Sequence, residues 1–353
     1  MTKRQITYLG CVAVVVASGL ASAPSAAART THRVTPGESI QQAVDAARSG
    51  DTVVLSPGTY RESVRITTSG LTLRGSGRGA TVLLPGPASA SNACATAGHG
   101  ICVAGTDDRP VTDVTVRSLT LKGFAKHGLW ASRTDGLTVR GVTSEENGQW
   151  GIAQERSVGG VFRNNIARNN GDAGMFVSNT IDTEEGARDS GGTVIRHNLV
   201  TGNRIGITVR RLRNLTVAHN DMTTNCAALF VVGDESLPRA GAMTVRGNYI
   251  HHNNKYCPKT PRLPFLQGSG IVLTGAEQTL VTRNRIVDNA GTSPLSGGIV
   301  LFKSFVGAVN ERNEIRNNVV LRNGTADLAD RDTGQGNTFR GNTCAVSEPV
   351  GMC

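Results

Sequence analysis

Six segments of this chain, set one beneath another, keep asparagine at two fixed places. They are GVFRNNIARNN, TVIRHNLVTGN, LTVAHNDMTTN, MTVRGNYIHHN, TLVTRNRIVDN and NEIRNNVVLRN. Their sixth residues are Asn165, Asn198, Asn220, Asn248, Asn284 and Asn318. Their eleventh are Asn170, Asn203, Asn225, Asn253, Asn289 and Asn323, and Asn342 in NTFRGNTC extends the first column. A residue type that returns at one place in unit after unit marks a solenoid, whose units bury their apolar faces by stacking on one another. The shortest step, Asn198 to Asn220, is 22 residues, and Asn318 to Asn342 is 24. That is too short for a helix pair and suits one turn of a parallel β-helix.

Each unit holds short alternating strands such as Gly206-Ile207-Thr208-Val209 and Leu215-Thr216-Val217, with Ile207 and Val209 on one face. Asn and Gly between the strands tolerate the left-handed backbone of sharp corners. With rungs about 4.8 Å apart, amides at one corner can hydrogen-bond along the stack, as they do in cross-β assemblies. These asparagines are therefore read as structural. Glycine, 43 of 353 residues, and an aromatic content of only 4% fit many tight corners around a thin aliphatic bore.

Residues 1–28 read as a secretory signal: Lys3 and Arg4, an apolar run from Cys11 to Leu20, then Ala26-Ala27-Ala28. The run is too short and small-residue-rich for a stable membrane span. Residues 29–353 are expected to form one exported, monomeric domain. Its six cysteines suggest disulfides, and neighbour pairing (Cys94–Cys102, Cys226–Cys257, Cys344–Cys353) is favoured among fifteen possibilities. Without Lys3 and Arg4 the charge is 35 − 27 = +8. The cations look dispersed and no helical reading motif is present, which argues against nucleic acid and for an acidic polysaccharide or cell-wall polymer as partner.

Near the start, Ile40, Ala43, Val44 and Ala47 recur at helical spacing, with Pro36 near the first turn. A short amphipathic helix over 36–48 would plug the open end of the bore. The stretch PGESIQQAVDAARSGDTVVLSPGTYRESVRI, followed by LTLRG, resembles the opening of right-handed parallel β-helix proteins of the pectate-lyase-like group, which includes polysaccharide lyases, alginate epimerases and NosD-type proteins. With the repeats, the resemblance covers nearly all of residues 29–353. It implies an all-β, single-stranded right-handed solenoid, and it is unspecific for the reaction.

One strand column aligns on its Gly-apolar start, from Leu129, Ile152 and Met175 through Ile207, Leu229, Ile271 and Ile299, all expected inward. Trp130, Phe176 and Phe230 then face outward, as do Glu155 and Arg210 two places on, with Arg133, Arg156, Arg211 and Lys303 just beyond. Rings stack on sugar faces and arginines pair with uronate or sulfate, so this face is the candidate glycan groove. The competing reading has the phenylalanines packed under inserts and the arginines as a solvated face. A lyase needs cations at the uronate carboxylate and a base beside them. Lys303 with Arg322 resembles the Lys and Arg that serve as base and acid on neighbouring rungs of one lyase family of this fold. Arg210, Arg211 and Arg213 form the alternative cluster. The pectate-lyase, polygalacturonase and alginate-epimerase signatures are missing. No cofactor is expected. Calcium has candidate ligands in Asp182, Glu184, Glu185 and Asp189, for which a solvated acidic loop is the plainer account. The leading expectation is β-elimination on an acidic polysaccharide. The alternatives are a non-catalytic glycan- or wall-binding solenoid and a NosD-like accessory protein.

Overall fold

The computed structural model describes residues 29–87 and 92–353. The segment read as a secretory signal lies outside them. The chain winds as a right-handed parallel β-helix built on three long sheets of 12, 10 and 11 strands, here A, B and C, with a small fourth sheet pairing Val111–Thr112 with Thr134–Asp135. Each coil visits the sheets in turn. Leu212–Ala218 lies in sheet A, Asp221–Thr223 in sheet B and Ala227–Val232 in sheet C.

Alternation along each strand fills the bore. On sheet C, Leu129, Ile152, Met175, Ile207, Leu229, Ile271 and Ile299 stand in register and are fully buried. The column glycines have a steric cause. A Cβ on Gly151 would lie 2.6 Å from the Gly174 carbonyl oxygen, and one on Gly270 2.2 Å from that of Gly298.

Two amide ladders run along the corners. The first, between sheets A and B, passes from Asn165 through Asn198, Asn220, Asn248, Asn284 and Asn318 to Asn342, each side-chain N–H donating to the next Oδ1 at 2.8–3.1 Å. The second, between sheets B and C, runs from Asn147 to Asn323 and ends on Asp327. The left-handed residue is the one before each ladder asparagine. His197, His219 and Arg283 have φ of 54°, 55° and 55°. The expectation that Asn and Gly would supply that conformation holds at Asn164, Asn169, Asn317, Gly202, Gly247 and Gly341, while other residue types supply it at the remaining corners. The ladder amide stabilises a turn that other side chains enter at the usual cost of left-handed backbone.

The capping helix is shorter than expected, Ile40–Ala46, with Ser39 as N-cap. Pro36 falls outside it, in the turn where Glu38 N–H donates to the Thr35 carbonyl. Glu62 accepts from Ser39 Oγ and Ile40 N–H, both at 2.7 Å, which ties the helix to the first coil. Ile40 and Val44 close the bore. Met352 and Cys344 pack against its other end. Cys94–Cys102, Cys226–Cys257 and Cys344–Cys353 are bonded, each to its sequence neighbour. No helix among the described residues is long and apolar enough to cross a membrane.

Candidate functional site

The outer face of sheet C carries the expected columns in register. Trp130, Ala153, Phe176, Thr208 and Phe230 share one row, and Ser132, Glu155, Ser178, Arg210 and Val232 share the next. Inserts then divide the face. Phe230 is buried with Cys226, Cys257 and Leu266 beneath the Cys226–Cys257 loop, so it offers no platform to a sugar. Arg204 holds that loop, donating to the Pro258 carbonyl at 2.6 Å.

Phe176 is also covered. It is the last ring of a stack in which His99, His127, Trp150 and Phe176 follow one another at centroid distances of 4.5, 4.4 and 4.0 Å. Trp150 Nε1 donates to Asp172 at 2.9 Å. Burial pushes the His99 imidazole down to about 4 and that of His127 to about 3, so both are neutral near pH 7. Trp130 remains half-buried beside the stack, 5.4 Å from His127, and is the accessible ring. His99, His127 and Trp150 were missed from sequence. Each immediately precedes the first glycine of its strand (Gly100, Gly128, Gly151), a spacing that aligns them.

Most cations of the column hold inserts down. Arg133 pairs with Asp107 at 2.8 Å, and Arg156 pairs with Glu185. Arg211, expected as a catalytic cation, is buried; it pairs with Asp234 and donates to Thr180 Oγ1 and the Thr183 carbonyl. It cannot reach a ligand, because its donors are spent inside the fold. Arg213 is likewise engaged, with Glu277. The pairing of Lys303 with Arg322 is corrected as well. Lys303 is exposed and follows Gly297–Phe302, at the sheet A side of sheet C. Arg322 follows Val319–Leu321 of sheet B and is held bidentately by Asp288 at 2.7 and 2.9 Å. The width of sheet C, about 20 Å for six residues, lies between them.

Two side chains remain available. Glu155 is half-buried and accepts the Ile181 N–H at 3.1 Å. Burial raises its carboxyl above the usual range, against that hydrogen bond and the charges of Arg133 and Arg156. Arg210 stands two rungs on, about 10 Å along the stack, and donates to the Ile181 carbonyl at 3.4 Å. Burial lowers its pKa, and the charges of Arg211 and Arg262 add to that effect. The backbone of one insert residue, Ile181, therefore contacts both a carboxylate and a cation.

The acidic insert does not gather into a cation site. Glu185 is taken by Arg156, and Asp189 by the Gly191 N–H and Asn214. Among the described residues no three His, Cys, Asp or Glu side chains converge as metal ligands. A hollow of about 450 Å³ lies elsewhere, on sheet B, but its Glu145 is already paired with Lys122 and Arg168.

A family profile described as a right-handed beta helix region matches residues 88–241 and 237–352. The chain belongs to the right-handed β-helix family. No curated relative matches this β-helix protein by sequence. Among solved structures it is similar to the mannuronan C-5 epimerase AlgE4 A-module of Azotobacter vinelandii, with TM-score 0.58, 19% identity and coverage of 88% of this chain and 91% of that one. It is similar to DFA-IIIase from Arthrobacter chlorophenolicus A6 without its lid, with TM-score 0.65, 15% identity and 91% of each chain covered. It is also similar to the periplasmic alginate epimerase AlgG, with TM-score 0.50, 12% identity and 89% and 84% covered. At these identities the likeness is one of fold.

Proposed function

We infer that this β-helix protein is an exported carbohydrate-active enzyme that acts on an acidic, uronate-bearing polysaccharide along the outer face of sheet C. The observation that carries the reading is the Glu155–Ile181–Arg210 arrangement beside the half-buried Trp130. Arg210 takes the uronate carboxylate and acidifies the neighbouring C–H. Ionised Glu155, a stronger base for its raised pKa, accepts that proton. The electron pair passes to the carboxylate as an enediolate, then forms the C=C bond as the glycosidic C–O bond breaks. The leaving oxygen recovers the proton from Glu155. One neighbour is named as a mannuronan C-5 epimerase and another as an alginate epimerase; epimerisation at C5 shares the first of these steps. Export is supported by three disulfides, which persist in oxidising compartments. Lys303 lies five rungs from Glu155, about 24 Å away, too far to serve the same sugar.

Incubation with pectate, alginate and chondroitin tests this reading through the ultraviolet absorbance of an unsaturated uronate. Appearance of that chromophore, and its loss in Arg210→Gln, is the expected result. A second reading, a non-catalytic glycan-binding solenoid, is favoured by the engagement of Arg133, Arg156 and Arg211 in holding inserts. It predicts glycan binding with neither unsaturation nor epimerisation.

A further inference from the structure

The outer face of sheet A gathers cations that look dispersed along the chain. Arg74 pairs in register with Arg117, Arg117 with Arg140, Arg140 with Arg163, and Arg163 with Arg196. Five guanidinium groups thus stand on five successive rungs, about 4.8 Å apart and about 19 Å from first to last. Past one alanine rung Arg246 resumes the column. With Arg33, Arg316 and Arg340, nine of the twelve strands of sheet A place arginine here. The formal charge of the whole chain is +10, so 10 − 9 leaves +1 for everything else.

Stacking like charges directly opposite one another costs stability, and at several other places this protein gives an arginine a carboxylate partner. Arg133, Arg156, Arg211 and Arg322 all have carboxylate partners. Among the described residues none of the five contiguous arginines has one; the column's only ion pair is Arg316 with Glu314. Burial, then the charges of Arg140 and Arg74, push Arg117 below its usual pKa. Alternation leaves these side chains no inward option, because Val116, Val139, Phe162 and Ile195 fill the bore between them. Arg74 and Arg196 are exposed and the three between them half-buried, so no insert closes over the row.

We propose that the arginine column of sheet A is a second binding site, for one extended chain of an acidic polysaccharide laid along the solenoid axis. The rung spacing is close to the advance of one pyranose unit, so acid groups and guanidiniums stay in step over several sugars. The parallel outer row beside the arginines is Thr72, Thr115, Thr138, Val161 and Val194. It offers hydroxyls to sugars. It holds no aromatic ring on which a single-stranded nucleic acid would stack its bases, and no large apolar wedge for a lipid surface. The site does not depend on turnover at Glu155, since a chain can be held here without reaction on sheet C.

The test uses the full chain, an end-labelled oligouronate longer than five units, and fluorescence anisotropy across a salt series. The variant Arg117→Gln/Arg140→Gln/Arg163→Gln changes only outward side chains, and its melting temperature checks that it folds. Turnover of the same oligouronate by the parent and by the triple variant reads sheet C separately. The triple variant is expected to lose at least about tenfold in affinity and to flatten the slope of log K against log salt by roughly 2, three contacts at about 0.7 each. Unchanged affinity and slope in the triple variant overturn the proposal. So does stronger competition by single-stranded DNA or by phosphatidylglycerol vesicles than by uronate of equal charge. Turnover on sheet C with unaltered binding in the triple variant removes this site alone. Lost binding in the triple variant without any turnover removes the sheet C reading alone.

Discussion

Replacing Asn220 by alanine puts a number on the amide ladder. Asn220 Oδ1 accepts from the Asn198 backbone N–H at 3.0 Å and from its side-chain N–H at 2.8 Å; Asn220 Nδ2 donates to the Ile195 carbonyl and to Asn248 Oδ1, both at 3.0 Å. Alanine removes all four bonds. Two of the partners keep another: Asn198 Nδ2 still reaches the Phe162 carbonyl, and Asn248 Oδ1 still accepts the N–H of residue 220. The Asn198 N–H loses its partner in a site only 1–2% exposed, whereas the Ile195 carbonyl stays in the sheet A ladder opposite Val217. A buried group left unsatisfied costs about 1–3 kcal/mol, and the variant should lose about that much. Urea unfolding followed by circular dichroism measures the loss, and amide hydrogen exchange at Asn198 locates it. Asn220→Asp should cost at least as much, because its second oxygen would face two acceptors. A loss below about 1 kcal/mol with unaltered exchange at Asn198 would refute the reasoning.

Other outcomes follow from the same geometry. Gln154 points into the bore, 1% exposed, and neither amide atom has a partner; Gln154→Leu should therefore stabilise the fold by about 1–3 kcal/mol, visible as a higher unfolding midpoint. His99 and His127 titrate at about 4 and about 3 in the fold against 6.5 when unperturbed. Their contribution is complete above pH 6.5 and is lost as pH falls through that range toward 3, and His99→Phe/His127→Phe should flatten the decline of melting temperature over it. Opening Cys226–Cys257, which closes a 31-residue separation, should cost about 3–4 kcal/mol and raise proteolysis between Lys255 and Gln267.

The coil was legible because its determinants are local and periodic. The 22-residue step, the alternation around Ile207 and the two asparagine columns each recur often enough to align without a structure. The sheet C face was legible only as a list of outward residues. Whether Phe230 or Arg211 is free depends on where the 255–267 and 181–186 inserts fold back, and no periodic signal encodes that. Lys303 and Arg322 appeared one rung apart in sequence, yet they occupy opposite margins of one sheet, because a rung's length in residues does not say which corner a residue occupies. The arginine column was within reach: four of the six aligned segments carry arginine at their fourth place, in Arg163, Arg196, Arg246 and Arg316.

Loss of the C5 proton of a polyuronate in deuterated water, followed by NMR with the parent protein and with Glu155→Gln, bears most directly on the assignment of sheet C. Glutamine can still accept the Ile181 N–H but cannot take a proton, so folding should survive while the loss stops. Loss that continues unabated in Glu155→Gln, or none with the parent on any uronate polymer tried, would contradict the assignment.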